Sequence, residues 1–600
     1  MEVTIFGSGI SGLTVAHELV EKGFKVTVYE KDSVSGGMAR SLRTSDNVPT
    51  EHSWRGYGPF YYNTFEIMKR IPYETIENYD KKRLITTYNG EKYDLTSFVK
   101  KHPGGSIIWK ANGKDLKKVW KELGYEWHDG NSYVNKILDR YKVKSTEHYE
   151  MSKNTVYDNL SKKGITFNLV KNKSSIDNNI SIWDYPYIGY KFSKVFLSDN
   201  RRKDYYNEKL DDKLKRNLSS KSYHYLVDYI SGPGFGFDKN TMSTGHYIEF
   251  VEYNMQNSKS WTVLNQPTNE GWIDPWVNYL KSKGVEFVYN SEVTKINIDT
   301  DNISNVELKS GDIITSDIYV MCLNPFEYEN ILRNSDLEEA DKYSNLNIQN
   351  NQISFRIGFS KEFKFPNDND AFVLLDSPYN ITFYSQGQHW NNDVKLGMDG
   401  KIKTLWSGTC ILPYRDGSLY GKSATRLTID ELKQEIIHQL FESTELFRII
   451  KENNDQIIIS KDDIIFSEIF DDFYETDTGL ATKHKKWVNN FMNEDYRPDN
   501  KTQFDNLYVA GSHTKTSVNI WSMESAVESG KLASNIILRK YDKDITYIHT
   551  HDSSLWLYPF QKLDNLFYML GLPNILDIAI VSIIILVIYF ILKKNRIINK

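Results

Sequence analysis

Glycines near the start of the chain form a loop of the kind that holds a phosphate-containing ligand. Gly7, Gly9 and Gly12 follow an apolar run that predicts a buried strand, and a helix pattern begins directly after them. In this setting the glycines permit a tight turn, a close approach of backbone to a pyrophosphate, and close packing of helix on strand. A second predicted strand ends at Glu30, which is placed to accept hydrogen bonds from ribose hydroxyls. The predicted dinucleotide contacts are Gly7, Gly9, Ser11, Gly12 and Glu30.

Three further segments resemble the amine oxidase and phytoene desaturase superfamily of flavoproteins. They are SGGMARS at residues 35–41, the strand that runs from GVEF at 284 to 293, and NLYVAGS at 506–512 with SMESAVESGK at 522–531. In that superfamily such segments lie beside the phosphates, the adenosine and the isoalloxazine, so the resemblance implies FAD. An ordinary strand, turn and helix at each place is the alternative. The resemblance adds as FAD contacts Gly37, Arg40, Val293, Gly511, Ser522 and Met523.

Residues 51–58 (EHSWRGYG) fall where this superfamily brings the chain past the flavin ring. There His52 is a candidate general base, and Arg55 is a candidate partner for the reduced, anionic flavin. The alternative is that His52 and its neighbour Trp54 are packed, hydrogen-bonded side chains without a chemical role.

A segment of different character interrupts the flavoprotein pattern. YDLTSFVKKHPGG at residues 93–105 resembles cytochrome b5, and the resemblance implies that His102 is an axial ligand of a b-type haem. Low-spin haem needs a second strong ligand, and His128 stands at close to the interval of that family. Trp127 and Asp129 depart from the small residues usual around this histidine. The alternative is a degenerate domain without haem, in which His102 only caps a turn.

Composition limits the class of protein. At 600 residues the chain exceeds the size of a single core, and 40% hydrophobic with 26% charged residues is typical of globular domains. A net charge of -5 without a basic stripe argues against nucleic acid as a partner. The two cysteines, Cys322 and Cys410, provide neither a disulfide framework nor a thiolate metal site, which favours a reducing compartment.

The C-terminal end is strongly apolar. Residues 575–592 contain almost only apolar side chains, and basic residues follow at Lys593, Lys594 and Arg596. Eighteen residues in a helix reach roughly 27 Å, which is close to the thickness of a bilayer core. The sequence predicts a single-pass C-terminal membrane anchor with the cofactor domains facing the cytosol. A buried core helix is the alternative.

The predicted fold class is an α/β Rossmann-like FAD-binding domain with an α+β substrate domain, an inserted α+β cytochrome b5-like domain and a C-terminal transmembrane helix. The boundaries follow from the order of the motifs. The FAD-binding domain takes residues 1–73, 267–335 and 499–540, the haem domain 80–147, the substrate domain 151–266 and 336–498, a tether 541–574, and the transmembrane helix 575–592.

The functional prediction is an FAD-dependent oxidoreductase that desaturates a small, apolar lipid or isoprenoid and exchanges electrons through its haem. The membrane anchor favours an apolar substrate over a polar amine. A second reading is a membrane-docked electron-transfer protein that serves an external redox partner. Amine oxidation, and isomerisation on reduced FAD without net redox change, also stay open.

Overall fold

The structure is a computed structural model of the chain, which divides into two compact units. The first unit is Met1–Ile67 together with Leu160–Lys600, and the second is Met68–Asn159. The described residues are 1–51, 55–73, 84–142, 154–161, 164–172, 180–230, 241–255, 260–347, 349–350, 352–367, 370–391, 393–551 and 557–598.

The secondary structure is mixed α and β. The strands in the described residues are β1 Glu2–Phe6, β2 Lys25–Tyr29, β3 Ile85–Tyr88, β4 Glu91–Asp94, β5 Thr166–Val170, β6 Glu286–Val288, β7 Val293–Asp299, β8 Asn302–Leu308, β9 Ile313–Ile314, β10 Ile318–Met321, β11 Gln349–Asn350, β12 Ile353–Phe359, β13 Asp370–Leu374, β14 Ile381–Ser385, β15 Thr404–Cys410, β16 Ile464–Ile469, β17 Phe473–Thr476, β18 Gly479–Thr482, β19 Lys486–Trp487 and β20 Leu507–Val509. The α-helices there are α1 Ile10–Val20, α2 Tyr62–Arg70, α3 Leu116–Leu123, α4 Ser132–Arg140, α5 Tyr185–Phe196, α6 Asp199–Tyr206, α7 Leu210–Asn217, α8 Ser220–Tyr223, α9 Thr244–Met255, α10 Asp274–Ser282, α11 Pro325–Asn334, α12 Ala340–Leu346, α13 Gln386–His389, α14 Ile429–Phe441, α15 Thr444–Asn453, α16 Met523–Lys540, α17 Tyr558–Met569 and α18 Ile575–Ile598.

A parallel five-stranded sheet forms the centre of the first unit, in the order β20-β10-β1-β2-β6. Ile5 of β1 pairs with Val28 of β2 and with Val320 of β10. These residues are fully buried, as expected for a parallel sheet covered on both faces. The predicted first strand and helix are present, although α1 begins at Ile10, three residues earlier than the predicted helix start at Leu13.

A second, six-stranded sheet has the order β16-β12-β15-β14-β13-β5 and is antiparallel except for the pair of β13 and β5. Strands β12, β14 and β15 are buried along their whole length. Their apolar side chains meet α14 and α15 in one core, in which Phe359, Phe383 and Trp406 pack ring against ring. The predicted substrate domain is therefore built on a rigid sheet.

Helix α16 lies against α1 at close range. A Cβ atom on Gly530 of α16 would approach the Thr14 Cβ to 2.7 Å and the Ser11 carbonyl oxygen to 2.8 Å. Ser11 Oγ also donates to the Ala510 carbonyl oxygen at 3.4 Å. This packing joins the two ends of the chain, so that residues more than 500 positions apart in sequence share one site.

The second unit is small and has its own core. Strands β3 and β4 form a hairpin, and α3 and α4 pack with 3₁₀ turns around Tyr88, Tyr93, Val119, Trp120 and Leu138. The unit folds around local contacts, since its strands and helices follow one another over 92 residues of sequence.

The C-terminal segment differs in part from the prediction. The region predicted as a tether contains helix α17, which begins with Pro559 in its first turn. Beyond it, one helix of the described residues, over Ile575–Lys594, is long and apolar enough to cross a membrane, and none of it is buried.

Candidate functional site

A cavity of about 370 Å³ lies in the first unit where segments from both ends of the chain meet. Its volume is within the range of small-molecule and cofactor sites. Of the predicted FAD contacts, Gly12 does not line the cavity. The wall includes all the other predicted FAD contacts, namely Gly7, Gly9, Ser11, Glu30, Gly37, Arg40, Val293, Gly511, Ser522 and Met523, and also Arg55.

The three glycines of the first loop differ in how much space the structure leaves for a side chain. Gly7 has a φ of 98°, and a Cβ there would lie 2.4 Å from the Cys322 carbonyl oxygen. A Cβ on Gly12 would lie 1.9 Å from the Gly7 carbonyl oxygen. A Cβ on Gly9, in contrast, would meet only the Gly37 Cα, at an ordinary 3.8 Å. The fold therefore requires Gly7 and Gly12, whereas Gly9 leaves room on the cavity side.

Glu30 holds the glycine loop in place. Its Oε2 accepts hydrogen bonds from the Ser8 backbone N–H and the Ser8 hydroxyl, both at 2.7 Å. Its Oε1 accepts from the Asp32 backbone N–H at 3.0 Å. The carboxylate is buried but still lines the cavity, so its predicted contact with a ribose hydroxyl remains sterically open.

Two helices begin at the cavity. Helix α1 starts after Gly9, which has no side chain to cap the first N–H groups. Helix α16 starts after Ser522, whose hydroxyl accepts from the Ser525 N–H at 3.1 Å. Uncapped N–H groups at a helix start attract anions, and Gly9 leaves space there for one. These features fit the pyrophosphate of FAD.

Charged side chains from distant segments meet beside the loop at 35–41. Arg40 is ion-paired with Asp32, and its Nη2 lies 3.4 Å from His484 Nδ1. The same histidine lies 2.5 Å from Asp472 and 3.5 Å from Asp32. Hydrogen bonds to Asp32 and Asp472 raise the pKa of His484 to about 9, and His484 in turn helps lower the pKa of Asp32 to about 2. Asp472 and His484 stand outside every recognisable motif, so the sequence did not indicate them.

Arg55 contacts the backbone of the same loop. Its Nη2 donates to the Met38 carbonyl oxygen at 3.0 Å and to the Arg40 carbonyl oxygen at 3.4 Å. Arg55 thus holds the loop that borders the cavity, and its role toward a flavin remains a prediction. His52, the predicted base, lies outside the described residues, as does Trp54.

The opposite wall of the cavity comes from the six-stranded sheet. Thr382 of β14 and Thr409 of β15 are cross-strand partners, and both line the cavity with Ile411. Trp261 and Tyr61 contribute aromatic surface. One cavity therefore connects the dinucleotide loop with the predicted substrate domain.

Several residues that line the cavity have a buried polar atom without a hydrogen-bond partner in the described structure, among them Thr382 Oγ1, Lys486 Nζ and His513 Nε2. Burial lowers the pKa of Lys486 well below its usual value and that of His513 to about 3, so His513 is neutral at pH 7. Buried polar groups normally have a partner, so unpaired ones that line a cavity indicate a ligand. Sequence analysis missed these residues because only tertiary packing buries them.

The second unit contains both predicted haem ligands. His102 ends a 3₁₀ turn over Thr96–Lys101, and the chain reverses at Gly105, which has a φ of 59°. His128 ends the 3₁₀ turn over Glu126–His128, stacked on the ring of Trp127 at 3.9 Å. The Trp127 that departs from the family pattern therefore supports the imidazole.

Both imidazoles are oriented in the same way. His102 Nδ1 lies 3.4 Å from the Gly105 carbonyl oxygen, and His128 Nδ1 lies 2.9 Å from the Tyr125 carbonyl oxygen. A carbonyl can only accept, so each Nδ1 carries the proton and each Nε2 is a free metal donor. Burial lowers the pKa of His102, and the charge of His128 adds to that effect. Oriented imidazoles with a free Nε2 are what an axial haem ligand requires, so these residues fit haem.

Known families match three parts of the chain. The NAD(P)-binding Rossmann-like domain matches residues 5–71, the cytochrome b5-like heme/steroid binding domain matches 73–147, and the flavin containing amine oxidoreductase family matches 482–538. The first and third include the glycine loop and the helix start of the cavity, and the second includes both histidines.

Individual relatives agree with these matches. A cytochrome b5-like protein of Acanthamoeba polyphaga mimivirus is 45% identical over 62 residues, which are 10% of this chain and 46% of that protein. A phytoene desaturase of Fusarium fujikuroi is 24% identical over 406 residues, which are 64% of this chain and 59% of that protein. The chain thus spans less than two thirds of the length of these curated relatives.

The fold is also that of a known structure. Putrescine oxidase superposes with a TM-score of 0.53 at 11% identity, over 90% of this chain and 99% of that one. Together these findings confirm the predicted resemblance, the predicted fold class, and FAD and haem as the predicted cofactors.

Proposed function

We propose that this chain, in which a flavin-containing amine oxidoreductase fold carries an inserted cytochrome b5-like domain, is a membrane-anchored FAD-dependent oxidoreductase that desaturates a small apolar molecule. When bound, FAD supplies two-electron oxidation of a carbon centre and haem supplies one-electron exchange. The predicted FAD contacts on the cavity wall, with Gly12 behind it, bind the flavin, and His102 and His128 hold the haem.

One observation carries this proposal: a single cavity is lined by the dinucleotide loop on one side and by Thr382, Thr409 and Ile411 on the other. A substrate on the side of the six-stranded sheet therefore lies in the same cavity as the flavin. His52 remains the proposed general base and Arg55 the proposed partner of the reduced flavin.

The charges of the cavity favour an apolar substrate over an amine. Among the described lining residues, the wall from the six-stranded sheet carries no carboxylate, and its lining side chains are Thr382, Thr409 and Ile411. A substrate ammonium group would find no counter-ion on that wall. The acidic lining residues all belong to the dinucleotide side, namely Glu30, Asp32, Glu292 and Glu327.

We further propose that the haem exchanges electrons with the flavin of the same chain, and that α18 anchors the protein with both cofactor domains in the cytosol. The haem unit is joined to the first unit by two chain connections, which keeps its effective concentration high. Helix α18 is apolar and exposed over Ile575–Lys594, and a bilayer would cover that surface.

The test is anaerobic mixing of the detergent-solubilised full-length protein with phytoene, and separately with a long-chain primary amine. We expect phytoene to bleach the flavin absorbance and the amine to leave it unchanged. Bleaching by the amine alone, or by neither compound, contradicts the proposed reaction.

The haem absorbance of the same samples tests electron exchange. Reduction of the haem after flavin bleaching is expected in the parent protein and not in a His102→Ala variant. Full flavin bleaching with oxidised haem contradicts the exchange and favours an external redox partner.

A further inference from the structure

Helix α17 has its polar and apolar faces reversed. Its buried residues are Gln561 and Asp564, whereas Leu563, Leu566 and Met569 are exposed, and Met569 is 78% exposed. The spacing of three places these apolar residues on one face of the helix. In water a surface helix of a globular protein turns its apolar face toward the core, so this arrangement is unfavourable unless something apolar covers α17.

The buried polar residues fix α17 to the first unit. Gln561 Nε2 donates to the Phe196 carbonyl oxygen at 2.9 Å, and Asp564 Oδ2 is ion-paired with Arg201 Nε at 2.8 Å. The other oxygen of Asp564 accepts from the Ile575 N–H, the first residue of α18, at 2.7 Å. The polar face is therefore satisfied by protein, and α17 cannot rotate its apolar face inward without breaking these bonds.

The same contacts fix the start of α18. Arg201 Nη2 donates to the Leu572 carbonyl oxygen at 2.7 Å. Asp577, in the first turn of α18, is 2.8 Å from Lys194 Nζ and accepts from the Tyr190 hydroxyl at 2.5 Å. The apolar helix thus leaves the protein from a rigid base made of α5, α6 and α17.

A second exposed apolar group lies on this base. Trp183 is 86% exposed, and Ile182 and Tyr185 beside it are also exposed. Trp183 lies in the 3₁₀ turn Ile182–Asp184 that leads directly into α5, seven residues before Tyr190, so it is roughly 10 Å from the contact with Asp577 along the helix direction. Trp and Tyr side chains are enriched where a protein crosses the boundary of a membrane.

We propose that α17 and the start of α5 form a membrane-embedded surface, which lies in the boundary between head groups and acyl chains of the bilayer that α18 enters. This inference rests on the proposed membrane anchor and adds a second contact with the same lipid. The continuity of the surface with α18 selects lipid as the occupant, because any bilayer around α18 meets this base first. The surface consists of Ile182, Trp183, Tyr185, Tyr558, Phe560, Leu563, Leu566, Met569, Leu570 and Leu572.

The consequence is a fixed orientation. A single span leaves a protein free to tilt, whereas α17 lying flat at the interface, about 18 Å long, would hold the first unit against the bilayer. Lys562, between the apolar residues of α17, can extend its charged end toward the head groups.

The natural cysteines make a site-specific test possible, because Cys322 and Cys410 are both buried and should not react with a label. Trp183→Cys and Met569→Cys each receive a polarity-sensitive fluorophore in the full-length protein, reconstituted in phosphatidylcholine vesicles. Ile458→Cys, at a residue 71% exposed on the first unit, is the matched control, and Ile585→Cys reports the insertion of α18. Flavin absorbance shows that each variant is folded.

We expect a lipid-borne nitroxide to quench labels at 183, 569 and 585 at least about twofold more than the label at 458, and aqueous iodide to do the reverse. Quenching by lipid at 585 with iodide access at 183 and 569 overturns this inference and leaves the anchor intact. Iodide access at all four sites overturns both. Shielding of 183 and 569 from both quenchers identifies a second protein copy as the cover, and also overturns the inference.

Discussion

The two cofactor units differ in how far apart in sequence the residues of each binding site are. In the haem unit, each histidine is oriented by a carbonyl oxygen three residues away, at Gly105 for His102 and at Tyr125 for His128. In the flavin unit, one cavity gathers the loop at residue 7, the strand at 293 and the helix start at 523. A local site depends on turn geometry, whereas a dispersed site depends on the whole fold.

This difference predicts how far the effect of a substitution extends through each unit. A change in a haem ligand should remove one cofactor and leave the rest of the molecule intact, because the contacts of the His102 imidazole, with Phe98 and Gly105, are local. A change in the packed glycines of the flavin unit should affect both stability and cofactor.

Replacing His102 with Ala removes one of the two proposed axial donors. We expect haem affinity to fall by more than about 100-fold, since even the outer partners of metal ligands contribute 10- to 100-fold. Flavin content and the unfolding temperature of the first unit should stay unchanged. Absorbance of the purified protein in the haem and flavin bands measures both. His438→Ala, on α14 of the first unit, is the control. An unchanged low-spin haem spectrum in His102→Ala would contradict the assignment of His102 as an axial ligand.

Gly12→Ala should damage the flavin unit widely. The new Cβ would lie 1.9 Å from the Gly7 carbonyl oxygen, so the loop or α1 must move. Such overpacking costs about 3 kcal/mol of unfolding free energy, and a displaced loop should no longer bind FAD. Denaturant unfolding followed by tryptophan fluorescence gives the stability, and flavin absorbance gives the FAD content. The haem band should persist, and its loss would show that the two units do not fold independently.

Gly9→Ala separates cofactor binding from stability in the same loop. The residue has a φ of -71°, which alanine adopts without strain, and its Cβ would meet only the Gly37 Cα at 3.8 Å. We expect the FAD-free protein to be as stable as the parent, or slightly more so because the unfolded chain is less flexible. FAD affinity should fall about 10-fold, or roughly 1.4 kcal/mol, because the methyl group occupies space next to the pyrophosphate. Equal FAD affinity, measured by fluorescence titration, would place the pyrophosphate elsewhere.

The contrast also explains what the sequence could predict. Gly7, Gly12 and Glu30 lie within one strand–helix–strand unit, so a local sequence pattern was enough to predict that they lie close together. Val293 and Gly511 were indicated only by resemblance, because no local pattern reveals which distant strands join the same sheet. The structure brings them to one cavity, and their contacts with FAD stay predictions.

Other features had no signal in the sequence. Lys486 and His513 look like ordinary polar residues, and only the packing of the fold buries them and leaves their nitrogens unpaired. Helix α17 lies in the segment 541–574, which was predicted as a tether on account of its histidines and two prolines. Its apolar face is outward, so a rule that looks for a face toward the core does not recognise it.

The pairing of His484 with Asp32 and Asp472 gives the smallest expected effect and a direct test of the dispersed site. The pKa of His484 in the folded protein is about 9, above its ordinary 6.5, so its contribution to stability is fully present below pH 6.5 and is lost as the pH rises through 9. The pKa of Asp32 is about 2 instead of 3.8, so its contribution is present above pH 3.8 and is lost as the pH falls toward 2. The ring is partly exposed, and screening reduces the effect to about 1 kcal/mol. Urea unfolding of the parent between pH 6.5 and 9 should show this decline, whereas His484→Gln should be flat across the same window. A parallel decline in both proteins would mean that residues far apart in sequence are not coupled at this cavity as the structure indicates.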